Sequence, residues 1–315
     1  MRDDPIGFAL KAACAAAECA SVAAWWPRYR EAARIWRNPM DRAIAAGFAA
    51  DRLGWAFASG YQAALHALFP GAPEDRICAL CVTEAEGNTP KAIKTSIRRQ
   101  NGIWKLNGTK RWTTLGPDGA VFFVAARDTD AAGERPHLRI ARIFSGSPGM
   151  RIDVMPPTRF VPEVPHAQLA FEDVEFRDEN LLPGDGYADY VKPFRTVEDL
   201  HVHAAALAYL VREARRLGWP QGWIERAAAL LHALRALSAE DPSSPATHVA
   251  LAGALLLGSA LIEETETLWS AAGSEPAATR WRRDKALFGV AAQAREQRLA
   301  RAWERLAPQA APTCP

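Results

Sequence analysis

The segment Cys81–Arg127, CVTEAEGNTPKAIKTSIRRQNGIWKLNGTKRWTTLGPDGAVFFVAAR, carries the clearest structural pattern in the chain. It begins at the end of a short apolar run, ICALCV, and passes into a polar turn at Thr83–Pro90. Asn101-Gly102 and Asn107-Gly108 then stand between β-forming residues. Asn-Gly in that setting predicts tight hairpin turns, because both central positions need a positive φ. An aromatic and polar corner, Trp112–Gly116, leads into a second apolar strand, Val121–Ala126. Farther out, Arg139–Phe144 and Gln168–Phe176 also have strand composition. Several short strands with turn signals between them predict a small β-barrel or sandwich over residues 76–183.

Helical patterns flank this β region. Pro5–Trp26 and Pro39–Phe69 read as Ala-rich helices of an N-terminal helical domain, residues 1–75, with Arg52-Leu53-Gly54 in mid-helix. The Pro- and Gly-rich stretch Pro70–Asp75 reads as a linker. After the β region, helices are expected at Val191–Leu217, Gln221–Leu237, Ala246–Ala272 and Pro276–Leu306. Gly218-Trp219-Pro220 and Asp241–Pro245 break the first two. Four antiparallel helices make a four-helix bundle over residues 184–307, and 308–315 is expected to fray. The third helix is apolar almost all round and so is expected to be the buried member. The fold class is therefore α+β and mostly α.

Composition bounds the partners. A chain of 315 residues, 49% of them hydrophobic, can bury a large core in two or three domains. A net charge of +2 gives no overall field to recruit nucleic acid or an anionic membrane. The longest uncharged apolar run, Val249–Ile262, is too short for a hydrocarbon core of about 30 Å. Lys11 and Glu18 interrupt the apolar N-terminal stretch, and Asp3 and Asp4 stand where a secretory leader carries positive charge. A cytoplasmic chain without a membrane partner is expected. Five cysteines argue against a closed disulfide set. Cys78 and Cys81 form a Cys-x-x-Cys, but in a strand they point to opposite faces and are expected to be core residues.

Three segments carry a resemblance. Val82–Gly87 with Lys94-Thr95, Leu106–Gly116 (LNGTKRWTTLG) and Phe171–Leu182 (FEDVEFRDENLL) resemble, in order and separation, the middle-domain motifs of the flavin-dependent acyl-CoA dehydrogenases. The resemblance implies a helical front, a β middle and a helical rear. It also implies FAD as cofactor, an acyl-CoA or similar thioester as substrate, and a homo-oligomer. By the same resemblance, Val82, Thr83, Trp112 and Thr114 line the flavin and Thr89 lies near the flavin and thioester. The turn departs from the family pattern in being one residue shorter and in placing Pro90 where the family has Asp. Proline removes a backbone N–H that such a loop offers to an anion.

Removing the α-proton of a thioester requires a carboxylate base. Most members of the family carry it on a Glu-Gly-Thr loop, which does not occur here. A minority carry it at the start of a helix in the rear domain, and Arg195–Leu210 (RTVEDLHVHAAALAYL) is similar to that pattern without a gap. This puts Glu198 on the base position, with Asp199 where the family has Arg. The neighbouring carboxylate is expected to raise the Glu198 pKa. The plain structural alternative is that both acids favour the positive end of a helix. The family's Arg-x-x-Phe-Gly element is replaced by RLGWPQ, Arg216–Gln221, leaving Arg215 or Arg216 as candidates for the pyrophosphate. The implied activity is α,β-dehydrogenation of an acyl-CoA. The alternative is a non-catalytic relative with a degraded flavin site that acts by binding.

No metal is expected. Glu198-Asp199-Leu200-His201 is a lone helical Glu-x-x-His, and the second copy, Glu163–His166, lies in a proline loop. Arginines spread around the last helix read as a solvated or subunit-facing surface. With no aromatic stacking platform read among these basic residues, that helix is not expected to bind nucleic acid.

Overall fold

Small residues let three helices come unusually close. The structure is a computed structural model that describes residues 4–131, 136–271, 273 and 276–307. Asn38 accepts from the N–H groups of Met40 and Asp41 and starts α3 (Pro39–Ala49). Helices α4 (Leu53–Leu68) and α5 (Lys192–Leu217) lie beside it. Ala43, Ala63 and Ala205 pack against one another at the centre of the three. A Cβ on Gly47 would sit 2.2 Å from the carbonyl oxygen of Ala205, and one on Gly60 would sit 2.6 Å from Val202 Cα. Neither contact can be relieved by moving a flexible side chain. Gly47→Ala is therefore expected to cost about 3 kcal/mol, the upper end for overpacking, measured by denaturant unfolding. A wild-type midpoint would contradict this packing.

The N-terminal helices differ from their expected bounds. Pro5–Trp26 is not one helix: α1 (Pro5–Lys11) ends, and α2 (Val22–Ile35) begins after Ser21 caps Ala24 N–H. Pro39–Phe69 divides at Ala50–Arg52, so Arg52 precedes α4 rather than lying within a helix. Asp51 supplies a physical reason for the break. Its buried carboxylate accepts from Cys19 N–H at 3.3 Å and from Arg52 at 2.7 Å, tying the α1–α2 connection to the α3–α4 corner.

The β region is a curled mixed sheet. Its strands are β1 (Cys78–Cys81), β2 (Ser96–Gln100), β3 (Ile103–Thr114), β4 (Val121–Asp128), β5 (Leu138–Phe144), β6 (Met150–Val154) and β7 (His166–Phe176). The order is β1-β4-β2-β3-β7-β6, with β5 on β4. Strands β1 and β2 run parallel to β4, and the other pairs are antiparallel. This path starts at β1 and ends at β6, so the pairing among the described residues is a curled sheet rather than a closed barrel. Strand β4 is apolar at successive positions because both of its faces are covered. Val121, Phe123 and Ala125 join the helical core, while Phe122, Val124 and Ala126 join a second core on the other face. Cys78 and Cys81 divide between the same two cores, as their spacing requires.

Asn101-Gly102 makes the expected turn between β2 and β3, with φ of 50° and 82°. Asn107-Gly108 does not turn. It lies within β3 at a register shift against β7, and Gly108 has a φ of 137°. A Cβ there would meet Thr95 Cα at 2.6 Å, so the glycine admits the neighbouring chain.

The rear of the chain comprises α5, α6 (Gln221–Leu237), α7 (Pro245–Ala271), α8 (Pro276–Asp284) and α9 (Ala292–Leu306). The expected fourth helix is interrupted by a 3₁₀ turn at Lys285–Gly289. The buried member is α5, not α7. Leu251, Ala254, Gly258, Leu261, Thr265 and Trp269 line only one side of α7, while Leu256 and Leu257 are 72% and 64% exposed. By length and composition, α7 as a whole would be sufficient to cross a membrane, unlike the shorter uncharged run within it. The expected tail, 308–315, lies outside the described residues.

Candidate active site

A bulge in β3 shapes one wall of the site. Between Lys110 and Thr113 the strand carries one residue more than β7 opposite. Trp112 takes a φ of 57° there, a conformation a bulky side chain adopts only when its surroundings impose it. Two carbonyls of the preceding turn hold the bulge. Arg111 N–H donates to Thr83 O at 2.8 Å, and Lys110 Nζ donates to Val82 O at 3.2 Å. The Lys110 ammonium is fully buried and also donates to Glu84 at 2.7 Å. Glu84 in turn accepts from Lys94 N–H at 2.7 Å and Thr95 N–H at 3.1 Å. Burial alone would raise the Glu84 pKa, but Lys110 and these backbone donors hold it below the usual range. Burial lowers that of Lys110.

The bulge places Trp112, half exposed, on a cavity of about 920 Å³ between the sheet and the helices. Thr114 lies on the same wall, with Oγ1 3.4 Å from His166 Nε2. Opposite stand Glu198 and Val202 from α5 and Phe288 from the 3₁₀ turn. The proline loop Met155–Val161 covers a further side. Val161 N–H donates to the buried Asp284 of α8 at 2.7 Å, and Arg283 reaches Glu163 at 3.3 Å, so the loop is fastened to the rear helices.

Glu198 is half-buried on this cavity, and its pKa is raised to about 7. Burial is the larger cause and the charge of Asp199 the second; Arg295 and Arg195 act against them. Asp199 itself is buried and bound to α9. Arg295 Nε donates to it at 2.9 Å and Arg298 Nη2 at 2.6 Å. Burial would raise Asp199, but His203, Arg295 and Arg298 offset that and keep it low. The two neighbouring carboxylates therefore have different states near neutral pH: one is ionised and the other poised to exchange a proton.

The structure thus brings Trp112, Thr114 and Glu198 onto one cavity. Val82 and Thr83 are not among its lining residues and act through their carbonyls on the bulge. Thr89 is exposed in the turn and likewise is not on the lining. Arg215 donates to Ala9 O and Ala12 O, and Arg216 to Glu213, so both are engaged in structural contacts. Sequence reasoning missed Arg295 and Arg298, which it reads as part of a solvated or subunit-facing surface. Their only signal was the unmatched Asp199.

The cavity fits a flat ring system in size and in its largely apolar lining. Arg111 also lies on that lining, and its buried Nε has no hydrogen-bond partner among the described residues. Such an orphaned donor is costly unless water or a ligand accepts from it.

Comparison with known proteins bears on the family and the fold. A family model described as acyl-CoA dehydrogenase, middle domain, matches residues 79–174. Benzylmalonyl-CoA dehydrogenase of Aromatoleum aromaticum is 30% identical over 149 residues, covering 46% of this chain and 38% of that protein. The matched stretch is thus well under two thirds of that relative's length. Among solved structures, the prolyl acyl carrier protein oxidase AnaB is similar with a TM-score of 0.68 and 15% identity, over 96% of this chain and 97% of that one. A glutaryl-CoA dehydrogenase from Mycobacterium smegmatis in complex with FADH2 has a TM-score of 0.65 and 16% identity, over 86% of this chain and 81% of that one. At these identities the structural likeness is one of fold.

Proposed function

We propose that this chain, whose residues 79–174 match the acyl-CoA dehydrogenase middle-domain model, is a member of that family and a flavin-dependent oxidoreductase that dehydrogenates an acyl thioester at its α and β carbons. The observation that carries this is a half-buried Glu198 with a pKa near 7, on the same cavity as Trp112 and Thr114. The substrate loses a proton from Cα and a hydride from Cβ, and a carbon–carbon double bond forms between them. FAD, when bound, supplies the acceptor for the hydride. Trp112 and Thr114 would hold its ring, presented by the β3 bulge. Glu198 takes the α-proton on its carboxylate. A base with a pKa near the working pH combines a useful ionised fraction with real proton affinity. Burial does most to set that affinity, and Asp199, fixed by Arg295 and Arg298, adds to it without entering the reaction. The proline loop and Phe288 exclude water from the carbon that loses its proton.

The purified protein should show the visible absorption of oxidised flavin, bleached by an acyl-CoA. The bleaching rate should rise with pH through about 7 and level off above it, because only ionised Glu198 accepts the proton. A rate flat from well below to well above that pH would remove Glu198 from the step.

A second reading, a non-catalytic binding protein with the same fold, is favoured by one observation. Thr89 is exposed and does not line the cavity, where the resemblance implies a contact near flavin and thioester. A colourless protein that takes up no added FAD would select this reading.

A further inference from the structure

A second cavity, of about 390 Å³, adjoins the first and shares Glu198, Asp199 and Arg295 with it. Its walls come from the first turn of α5, the start of α7, the turn at Asn88, and α9. Its chemistry is different: Lys192, Arg195, Arg295, Arg298, Arg301 and Arg305 line it, against Glu198 and Asp199 as its carboxylates. Asp199 is already engaged by Arg295 and Arg298, and Glu198 is drawn toward its neutral form. No carboxylate lies within ion-pair distance of Lys192, Arg195, Arg301 or Arg305 among the described residues. His248 is buried at the edge, its Nε2 2.8 Å from Pro242 O. Burial, with Arg298, Lys192 and Arg305 adding to it, keeps this imidazole neutral, so it offers a polar edge without adding charge.

Four unmatched cations converging on one concavity repel one another, and an anion held among them relieves that cost. On α9, Arg298, Arg301 and Arg305 follow at intervals of three and four, and so share one helical face. Guanidinium forks on a common face suit the several oxygens of a phosphate better than a single carboxylate.

We propose that this cationic cavity is a phosphate site, which holds the phosphate-bearing tail of an elongated ligand whose other end lies beside Glu198. The proposal rests on the reading of the larger cavity as a ligand site and adds where the ligand's charge goes. Two tails have the required chemistry: the phosphate of the thioester's carrier and the pyrophosphate of the flavin dinucleotide.

Calorimetry on the whole chain separates them. CoA is compared with pantetheine, which has the same arm without the phosphates and adenosine, and FAD with riboflavin, which lacks the pyrophosphate and adenosine; the salt dependence of binding distinguishes phosphate from adenosine. Each is titrated into wild type and into the double variant Arg301→Ala/Arg305→Ala. Both arginines are exposed and engaged in no described ion pair, so the variant should melt like wild type. The phosphate-bearing member of one pair should bind at least about tenfold tighter than its partner, as expected of charge-assisted hydrogen bonds. That advantage should shrink with added salt and disappear in the variant, while the phosphate-free partner binds unchanged. An advantage lost in the CoA pair assigns the site to the thioester's carrier, and one lost in the FAD pair assigns it to the dinucleotide. No advantage in either pair, or one that survives in the variant, overturns the site. Binding requires no turnover, so this result is separable from dehydrogenation. A protein inactive on every thioester but discriminating CoA through these arginines would keep the phosphate site and lose the dehydrogenase.

Discussion

Glu198→Gln should bind flavin as wild type does and fail to pass electrons to it from an acyl-CoA. The amide keeps the size and much of the polarity of the acid but cannot take a proton. A positioned general base contributes about 10²–10⁴ in rate, and the expected loss is at the upper end because among the described residues no other carboxylate on the cavity is free to substitute. Asp199 is adjacent but engaged by Arg295 and Arg298. Stopped-flow bleaching of the flavin measures the loss directly, and reduction at the wild-type rate would eliminate Glu198 as the base. The variant has a second signature. A half-buried acid whose folded pKa lies above its unfolded value favours the folded state at low pH, and that contribution is lost as pH rises from about 4.5 to about 7. Removing the acid should flatten the slope of stability against pH across that window.

Lys110→Met should be the most destabilising single change in the β region. It leaves the Glu84 carboxylate buried without its counterion, a loss of about 3–5 kcal/mol by analogy with other broken buried pairs. Urea unfolding reads the difference. Glu84→Gln in the same chain should recover part of it, because an amide oxygen still accepts from the N–H groups of Lys94 and Thr95 while the uncompensated charge is gone. The deficit of the single variant should shrink as pH falls through the carboxylate range, since a protonated Glu84 is cheaper to bury. A deficit independent of pH, or below about 1 kcal/mol, would show that the pair is not what holds the bulge.

What the residues disclose in advance follows from how far apart the interacting groups lie. The β4 strand was legible because its six apolar positions, Val121–Ala126, are a local pattern, and Asn101-Gly102 because a hairpin turn is made locally. Asn107-Gly108 has the same two residues and a different outcome. What decides it is Thr95, packed against Gly108 from the segment that leads into β2. The break before α4 had no proline or glycine to announce it. It follows from Asp51 and Cys19, 32 residues apart in the chain and joined only in the fold. Apolar residues all round α7 suggested a buried helix, but burial went to α5, whose small side chains allow α3 and α4 to close on it. Nothing among the described residues explains what covers Leu256 and Leu257.

The candidate site divides in the same way. Trp112, Thr114 and Glu198 stood out because each lies in a contiguous segment that resembles a family motif. Val82 and Thr83 stood out for the same reason, yet they reach the cavity only through the backbone. A side-chain motif cannot distinguish a residue that touches a ligand from one that props up the residue that does.

The contacts between Asp199 and α9 have a consequence for the order in which the chain is made. Asp199 of α5 precedes its two arginines, Arg295 and Arg298, by 96 and 99 residues. Because α5 leaves synthesis before α9, it starts to pack while Asp199 still lacks these two counterions. Only when the last helix docks does one acid acquire its counterions and the other its final proton affinity. The closing step of folding and the arming of the site are then a single event.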